Sequence, residues 1–322
     1  MIFLKGVLQS AILVSVILAV VAYLTWLERK FSGRIQSRIG PYLVGRPHGW
    51  LQPIADGLKL ISKEDIVPAK ADRLLFNFAP AWIVIVSLLG FAFLPMTANW
   101  VLVNMDLGLL YFTAIGSLIV IGVFTSGWAS NNKYALLSSL RSAAQIVAYE
   151  VPLLFSLLVP AILAGSLDFM DIIGAQKNYW FITFPIIGQI SFLTFLLAAL
   201  AESNRMPFDL SEAESELIAG FSIEYSGMKF AYFYLGEYVH LLAVSLLVSI
   251  LFFGGPLGPV LPGAVWITIK TMAIFLGILW IRWSFLRVRI DQLMMFNWKI
   301  LTPISFIVLL LAGLWVSLKA GI

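Results

Sequence analysis

The 322-residue chain is 61% hydrophobic and 12% charged, with a formal net charge of +4, whereas charged residues make up about 25% of a soluble globular domain. This excludes a soluble enzyme and a nucleic-acid-binding module; what remains is an integral membrane protein, whose small positive charge bears on its orientation in the bilayer. Cysteine is absent and only His48 and His240 represent histidine, so the chain alone cannot build an iron–sulfur cluster, a thiolate zinc site or a bis-histidine haem within one fold.

A helical span needs about 20 apolar residues. Runs of that kind fall at 6–27, 74–95, 107–128, 138–164, 180–201, 228–253, 265–285 and 300–318. They are too long for barrel strands, and backbone polar groups in hydrocarbon must be satisfied internally. The expected fold is therefore all-α and polytopic, with eight transmembrane helices in a single membrane domain over 1–322. The first run is followed by charge and has no basic leader or small-residue cleavage site, so it reads as a retained span.

Lysine and arginine divide unevenly between the loops. The odd-numbered loops carry fifteen of the 21, nine of them between Arg29 and Arg73, whereas the other side carries only Lys5, Lys177 and Lys319. The positive-inside rule places the odd loops in the cytoplasm and both termini on the non-cytoplasmic side. Arg141, Lys270 and Arg282 lie within or at the edge of spans.

The first cytoplasmic loop, 28–73, is too long and too patterned for a connector. Trp50, Ile54, Leu58 and Ile61 recur at helical spacing, while Gln52, Asp56, Lys59 and Lys63 fall on the opposite face. This predicts an amphipathic surface helix. Two readings stand for the loop: a basic collar with an interfacial anchor, or a wall for a lipophilic ligand entering from the bilayer.

The fourth span carries Arg141, Gln145 and Tyr149 on one face and Glu150 next to Val151-Pro152, where proline frees a carbonyl and predicts a kink. The sixth span carries Glu237 about 14 Å along its axis at 1.5 Å per residue. With Glu202 at the end of the fifth span, these are carboxyls that hydrocarbon penalises by about 2.5–3.5 kcal/mol each, and their default use is an ion or proton path. A structural hydrogen bond to a neighbouring helix is the plainer role for Glu237.

The residues 201–230, AESNRMPFDLSEAESELIAGFSIEYSGMKF, hold Glu202, Asp209, Glu212, Glu214, Glu216 and Glu224 against two cations, Arg205 and Lys229. Pro207 ends the fifth span and Asp209 or Ser211 can cap a new helix near Glu212. One glutamate serves a helix dipole; three in five residues exceed that need. Like charges so close titrate as a coupled set, which predicts a group that redistributes protons when a negative species forms beside it.

This stretch resembles the signature loop of the H-subunit family (mitochondrial subunit 1) of NADH:quinone oxidoreductase, respiratory complex I. Further family blocks follow in order: WLERK with RIGP, LQPIADGLKLISKEDIVP, SGWASNNKYALLSSLRSAAQIVAYEVP, GEY and LRVRIDQLM. The resemblance implies an eight-helix protein of the bacterial inner (plasma) membrane that joins a peripheral arm to a membrane arm. It implies a quinone tunnel walled by the first helix, the amphipathic helix and cytoplasmic loops. By motif, Arg34, Asp56, Glu212, Glu214 and Arg287 would line its charged part, with Arg289 competing with Arg287 for that place. Glu150, Glu202, Glu216 and Glu237 would begin the carboxylate path from quinone chemistry to proton movement. The chain would bind no cofactor and no metal; quinone is the substrate, and FMN and iron–sulfur clusters belong to partner subunits. The loop YLVGRPHGW after RIGP departs from the GPN-type run expected of relatives, around the tunnel entrance at Tyr42 to His48.

Two rival readings use the same residues. The membrane anchor of an energy-converting hydrogenase or ferredoxin-linked complex shares the scaffold, and the complete 201–230 stretch favours complex I over it. A freestanding ion-coupled transporter would show an internal repeat with paired broken helices, and none is visible.

Overall fold

The computed structural model describes residues 2–97, 100–209 and 220–320, and among them every regular element is helical. Among the described residues, seven helices are long and apolar enough to cross a membrane: Leu4–Ile35, Arg73–Gly90, Gly108–Ala129, Lys133–Ala164, Gly227–Phe253, Gly263–Ser284 and Ile290–Lys319. The protein is thus a multi-pass membrane protein. The fifth expected span is a shorter helix, Ile187–Glu202. The reason is local: Phe181–Thr183 forms a single 3-10 turn, and Pro185 with Ile186 at a φ of 66° breaks the chain before the helix starts.

In chain order the α-helices are α1 (Ile2–Ile35), α2 (Gln52–Ser62), α3 (Arg73–Gly90), α4 (Gly108–Ser117), α5 (Ile119–Ala129) and α6 (Lys133–Ala164). They continue with α7 (Phe169–Ala175), α8 (Ile187–Glu202), α9 (Gly227–Phe253), α10 (Gly263–Ser284), α11 (Ile290–Phe296) and α12 (Thr302–Ala320). Helix α1 runs eight residues past its apolar stretch because its first charged residues are good helix formers that find partners: Glu28 pairs with Arg282, and Arg29 with Asp56. Helix α9 is the most enclosed and packs against α1, α3 and α10. Its residues Leu246, Leu247, Val248, Ile250, Leu251 and Phe252 belong to the main apolar core together with Phe195, Phe275 and Leu279. Large apolar side chains such as Leu8, Ile85, Leu193, Ile269 and Leu314 cover the outside, each about half exposed or more, as expected where the solvent is lipid.

Close helix contact rests on small residues. Ile83 of α3 sits between Gly122 of α5 and Gly236 of α9: a Cβ at Gly122 would meet Ile83 Cγ1 at 2.4 Å, and one at Gly236 would meet Ile83 Cγ2 at 2.6 Å. Gly236→Val is expected to cost about 1–3 kcal/mol by overpacking, read as a lowered thermal midpoint of the purified membrane complex. Adding Ile83→Ala should return most of that loss. A midpoint unchanged by Gly236→Val would show that the helices are not pressed together here.

Prolines inside α6 are accommodated by neighbours. Pro152 leaves the carbonyl of Ala148 without its helical donor, and Asn297 Nδ2 donates to that oxygen at 2.7 Å. Pro160 does the same to Ser156, whose carbonyl accepts from Ser191 Oγ of α8 at 2.7 Å. Both freed acceptors are therefore satisfied without water, as hydrocarbon requires. Asn297 itself opens a wider π-type turn, Asn297–Leu301, between α11 and α12. The third span is also interrupted. It parts at Leu118 between α4 and α5, and the Leu118 carbonyl accepts from Trp82 Nε1 at 3.0 Å.

At the far end of α9, Lys270 of α10 donates to the carbonyls of Phe253, Gly255 and Leu257 at 2.5 to 2.9 Å, with its ammonium over the Trp180 ring. A cation on the last carbonyls of a helix is favoured by its dipole. This explains a lysine inside an apolar run.

Candidate functional site

Helix α2 is amphipathic in the expected sense. Trp50, Ile54, Leu58 and Ile61 are all half exposed or more, while Asp56 turns inward. The Asp56 carboxylate accepts from Gln52 Nε2 at 3.0 Å, pairs with Arg29 of α1 and lies 3.9 Å from Lys59. An outward apolar face with an inward carboxylate makes α2 the outer wall of a cavity. That cavity measures about 540 Å³ and is bounded by α1, α2, the start of α9 and the end of α10. The volume falls within the range of small-molecule sites, about 300–1,000 Å³. Val21, Leu60, Phe230 and Leu235 supply an apolar side; Glu28, Arg29, Arg38, Asp56 and Lys59 supply a charged one. Trp283 also borders it, and its indole N–H is buried without a hydrogen-bond partner among the described residues.

The charged side is tightly connected. Glu28, 5% exposed, binds Arg282 through one carboxylate oxygen and accepts from the Tyr238 hydroxyl at 2.6 Å through the other. Tyr238 in turn lies under Arg205, whose guanidinium carbon is 4.6 Å from the ring centroid. Arg205 reaches the Glu237 carboxylate at 3.2 Å. Tyr238 and Glu237 are consecutive residues, about 100° apart around α9. Arg205 therefore joins the cavity face of α9 to its inner face.

The placement of Arg205 follows from the local sequence. Helix α8 ends in a Schellman turn: Arg205 N–H donates to the Leu200 carbonyl at 3.3 Å and Asn204 N–H to that of Ala201 at 3.3 Å, with Asn204 at a φ of 48°. Asparagine tolerates this left-handed position. Gln145 of α6 fastens the turn, since its Nε2 donates to the carbonyls of both Ala201 and Phe208 at 2.7 and 2.8 Å. Arg205 is only 3% exposed.

On the inner face of α9 two small cavities follow one another. The first, about 30 Å³, is bordered by Glu237, Glu202, His240, Ser87 and Asn204. The second, about 20 Å³, is bordered by Glu202, His240, Glu150, Thr113 and Gly116. Each exceeds the roughly 10–15 Å³ that one water needs. Gly116, beside the break between α4 and α5, borders this second cavity. Interrupted backbone at this depth thus lies where it borders a polar cavity.

Of the residues expected from the sequence, Glu237, Glu202 and Glu150 come together along the two inner cavities, and Asp56 borders the large one. Arg34 is exposed at the end of α1 and does not border that cavity, where Arg29 and Arg38 do. Arg287 pairs with Asp209 at 3.3 Å, and Arg289 points outward to Asp291 at 3.1 Å, which leaves Arg287 as the arginine turned toward the protein. Glu212, Glu214 and Glu216 lie outside the described residues. Glu224 accepts from Asn132 Nδ2 at 2.6 Å, and Lys229 pairs with Asp65 at 2.8 Å, so both residues tie the end of the acidic stretch to other loops. Glu28, Tyr238, Arg205 and His240 are not singled out by sequence. Glu28 hides in the basic collar, Arg205 looks like a loop cation, and only the rarity of histidine here points to His240.

Comparisons with known proteins agree with one another. The family model described as NADH dehydrogenase matches residues 8–313. The NADH-quinone oxidoreductase H subunit of Geobacillus kaustophilus is 48% identical over 308 residues, covering 94% of this chain and 92% of that protein. The H subunit of Paramagnetospirillum magneticum is 46% identical over 315 residues, covering 95% and 91%. The second H subunit of Syntrophobacter fumaroxidans is 44% identical over 323 residues, covering 98% and 96%. With a cavity joined by Arg205 to a row of part-buried carboxylates, and with relatives matched over nearly its full length, the chain belongs to the NADH dehydrogenase family of NADH-quinone oxidoreductase H subunits.

Proposed function

We propose that this chain admits quinone from the bilayer into the cavity between α1, α2, α9 and α10, and couples its reduction to proton translocation through Glu237, Glu202 and Glu150. The chain sits in the bacterial inner membrane with both termini on the outer side, as one membrane domain whose α8 completes an eighth crossing. Its basic cytoplasmic loops dock peripheral partner subunits that carry FMN and iron–sulfur clusters and deliver electrons. By motif, Glu212 and Glu214 belong with the charged lining of the quinone tunnel and Glu216 with the carboxylate relay; all three lie outside the described residues.

The observation that carries this reading is the position of Arg205. It contacts Tyr238 in the wall of the cavity and Glu237 in the wall of the inner chamber. Reduction of quinone to quinol takes up two electrons and two protons, so negative charge develops in the cavity before the protons arrive. That charge attracts the Arg205 guanidinium toward the cavity side and loosens its hold on Glu237. A carboxylate losing its cation in a dry interior is neutralised by protonation. The proton comes from the Glu202 side of the chamber, and the deficit passes on toward Glu150. Electrostatic coupling of this kind is strong because so little water screens it.

Asp56 offers a direct test of the cavity. Asp56→Ala releases Arg29 and Gln52 and opens the charged end. The KM for a short-chain quinone in the assembled complex should rise about tenfold, equivalent to about 1.4 kcal/mol of binding, with NADH oxidation by a soluble artificial acceptor unchanged. An unaltered quinone KM would remove this cavity from the quinone path.

A further inference from the structure

His240 stands on α9 one turn beyond Glu237 and borders both inner cavities, the only polar side chain besides Glu202 to do so among the described residues. It is 9% exposed, and its Nε2 is buried with no hydrogen-bond partner among those residues. An imidazole nitrogen left unmatched in an apolar interior costs free energy. A purely space-filling role at this position would be met more cheaply by leucine or phenylalanine. Its neighbours are titratable on three helices: Glu237 on its own helix, Glu202 on α8 and Glu150 on α6, with Arg205 held on Glu237. Ser87 of α3, Thr113 of α4 and, at the end of α8, Ser203 and Asn204 are the other polar residues that border these cavities.

We infer that His240 is a proton-carrying member of this relay, passing protons between the chamber of Glu237 and that of Glu150. The inference rests on the relay reading given above. Imidazole suits the position because one ring nitrogen accepts a proton while the other releases one. The step balances without any other reactant. A proton from the Glu150 side, carried by water, binds one ring nitrogen; the proton on the opposite nitrogen leaves toward water and the Glu237 carboxylate. A turn of the ring, or the reverse pair of transfers, restores the starting tautomer. Glu202 borders both cavities as well, so the two residues form parallel gates at the same narrow point.

The test uses the assembled complex in proteoliposomes with three variants: His240→Gln, His240→Phe and Glu202→Gln. Glutamine keeps hydrogen bonding and much of the volume without a nitrogen that exchanges protons; phenylalanine keeps the ring alone. Both histidine variants are expected to lower NADH-driven proton uptake about tenfold, just below the range for losing one general acid–base group because Glu202 offers a parallel route. They should raise the solvent deuterium effect on quinone reduction, which a change of packing would leave unmoved, while NADH oxidation by an artificial acceptor persists. If His240→Phe fails to assemble, His240→Gln decides the matter. Wild-type proton uptake and isotope effect in His240→Gln, with Glu202→Gln impaired, would overturn the role of His240 and leave the relay standing. Wild-type uptake in Glu202→Gln as well would overturn the relay itself.

Discussion

Replacement of Arg205 by methionine should be the most damaging single change in the described part of the chain. Its guanidinium is almost wholly buried, pairs with Glu237 at 3.2 Å and lies over the Tyr238 ring. Breaking a buried pair by removing one partner costs about 3–5 kcal/mol, because the other charge is left uncompensated. Native gels and thermal denaturation of membranes should therefore show much less assembled complex. The double change Arg205→Met with Glu237→Gln removes both charges and should recover most of the lost stability. It should not recover proton translocation, because the link between cavity and chamber is gone. Separation of stability from pumping in this pair places the Arg205–Glu237 pair in the coupling path; full recovery of both would reduce it to a structural ion pair.

The second large effect concerns Glu202. This carboxyl ends α8, borders both inner cavities and has no substitute at that depth besides His240 among the described residues. Glu202→Gln keeps the shape and the hydrogen-bonding capacity of the side chain and deletes the exchangeable carboxyl proton. Losing one proton-transfer group lowers the rate of a step by about 10²–10⁴-fold; with His240 left as a parallel gate, turnover coupled to pumping should fall to the lower end of that range while the complex assembles normally. Since glutamine is neutral, the change adds no buried charge, and thermal stability should be unchanged or slightly raised.

Much of this architecture is legible in the sequence, for identifiable reasons. Long apolar runs report spans because lipid penalises every unpaired backbone group, and the runs at 74–95, 138–164 and 228–253 coincide with α3, α6 and α9 to within a few residues. The four-residue spacing of Trp50, Ile54 and Leu58 reports α2 because a surface helix must show one apolar face. Glu150 and Glu237 stand out because intramembrane acids are rare. What the sequence hides depends on tertiary contact. The break at Leu118 is held by Trp82 from another helix, and no local signal marks it. The shortness of α8 turns on the conformation of Pro185 and Ile186, which apolar composition does not reveal. The kink expected at Pro152 is visible in sequence, but the donor that satisfies Ala148, Asn297, lies 149 residues away. Arg205 shows the limit most clearly. A loop arginine among carboxylates reads as solvated, and only the Schellman turn that folds it back over α8 makes it the bridge between two faces of α9.

The proposed coupling, in which redox chemistry in the cavity drives protons through the carboxylate row, is tested most directly by one ratio: protons translocated per NADH oxidised in proteoliposomes containing the Glu202→Gln complex. Proton translocation is expected to collapse in step with quinone reduction, or the ratio to fall well below wild type where electron transfer continues. A Glu202→Gln complex that reduces quinone at the wild-type rate with an unchanged ratio would contradict the coupling.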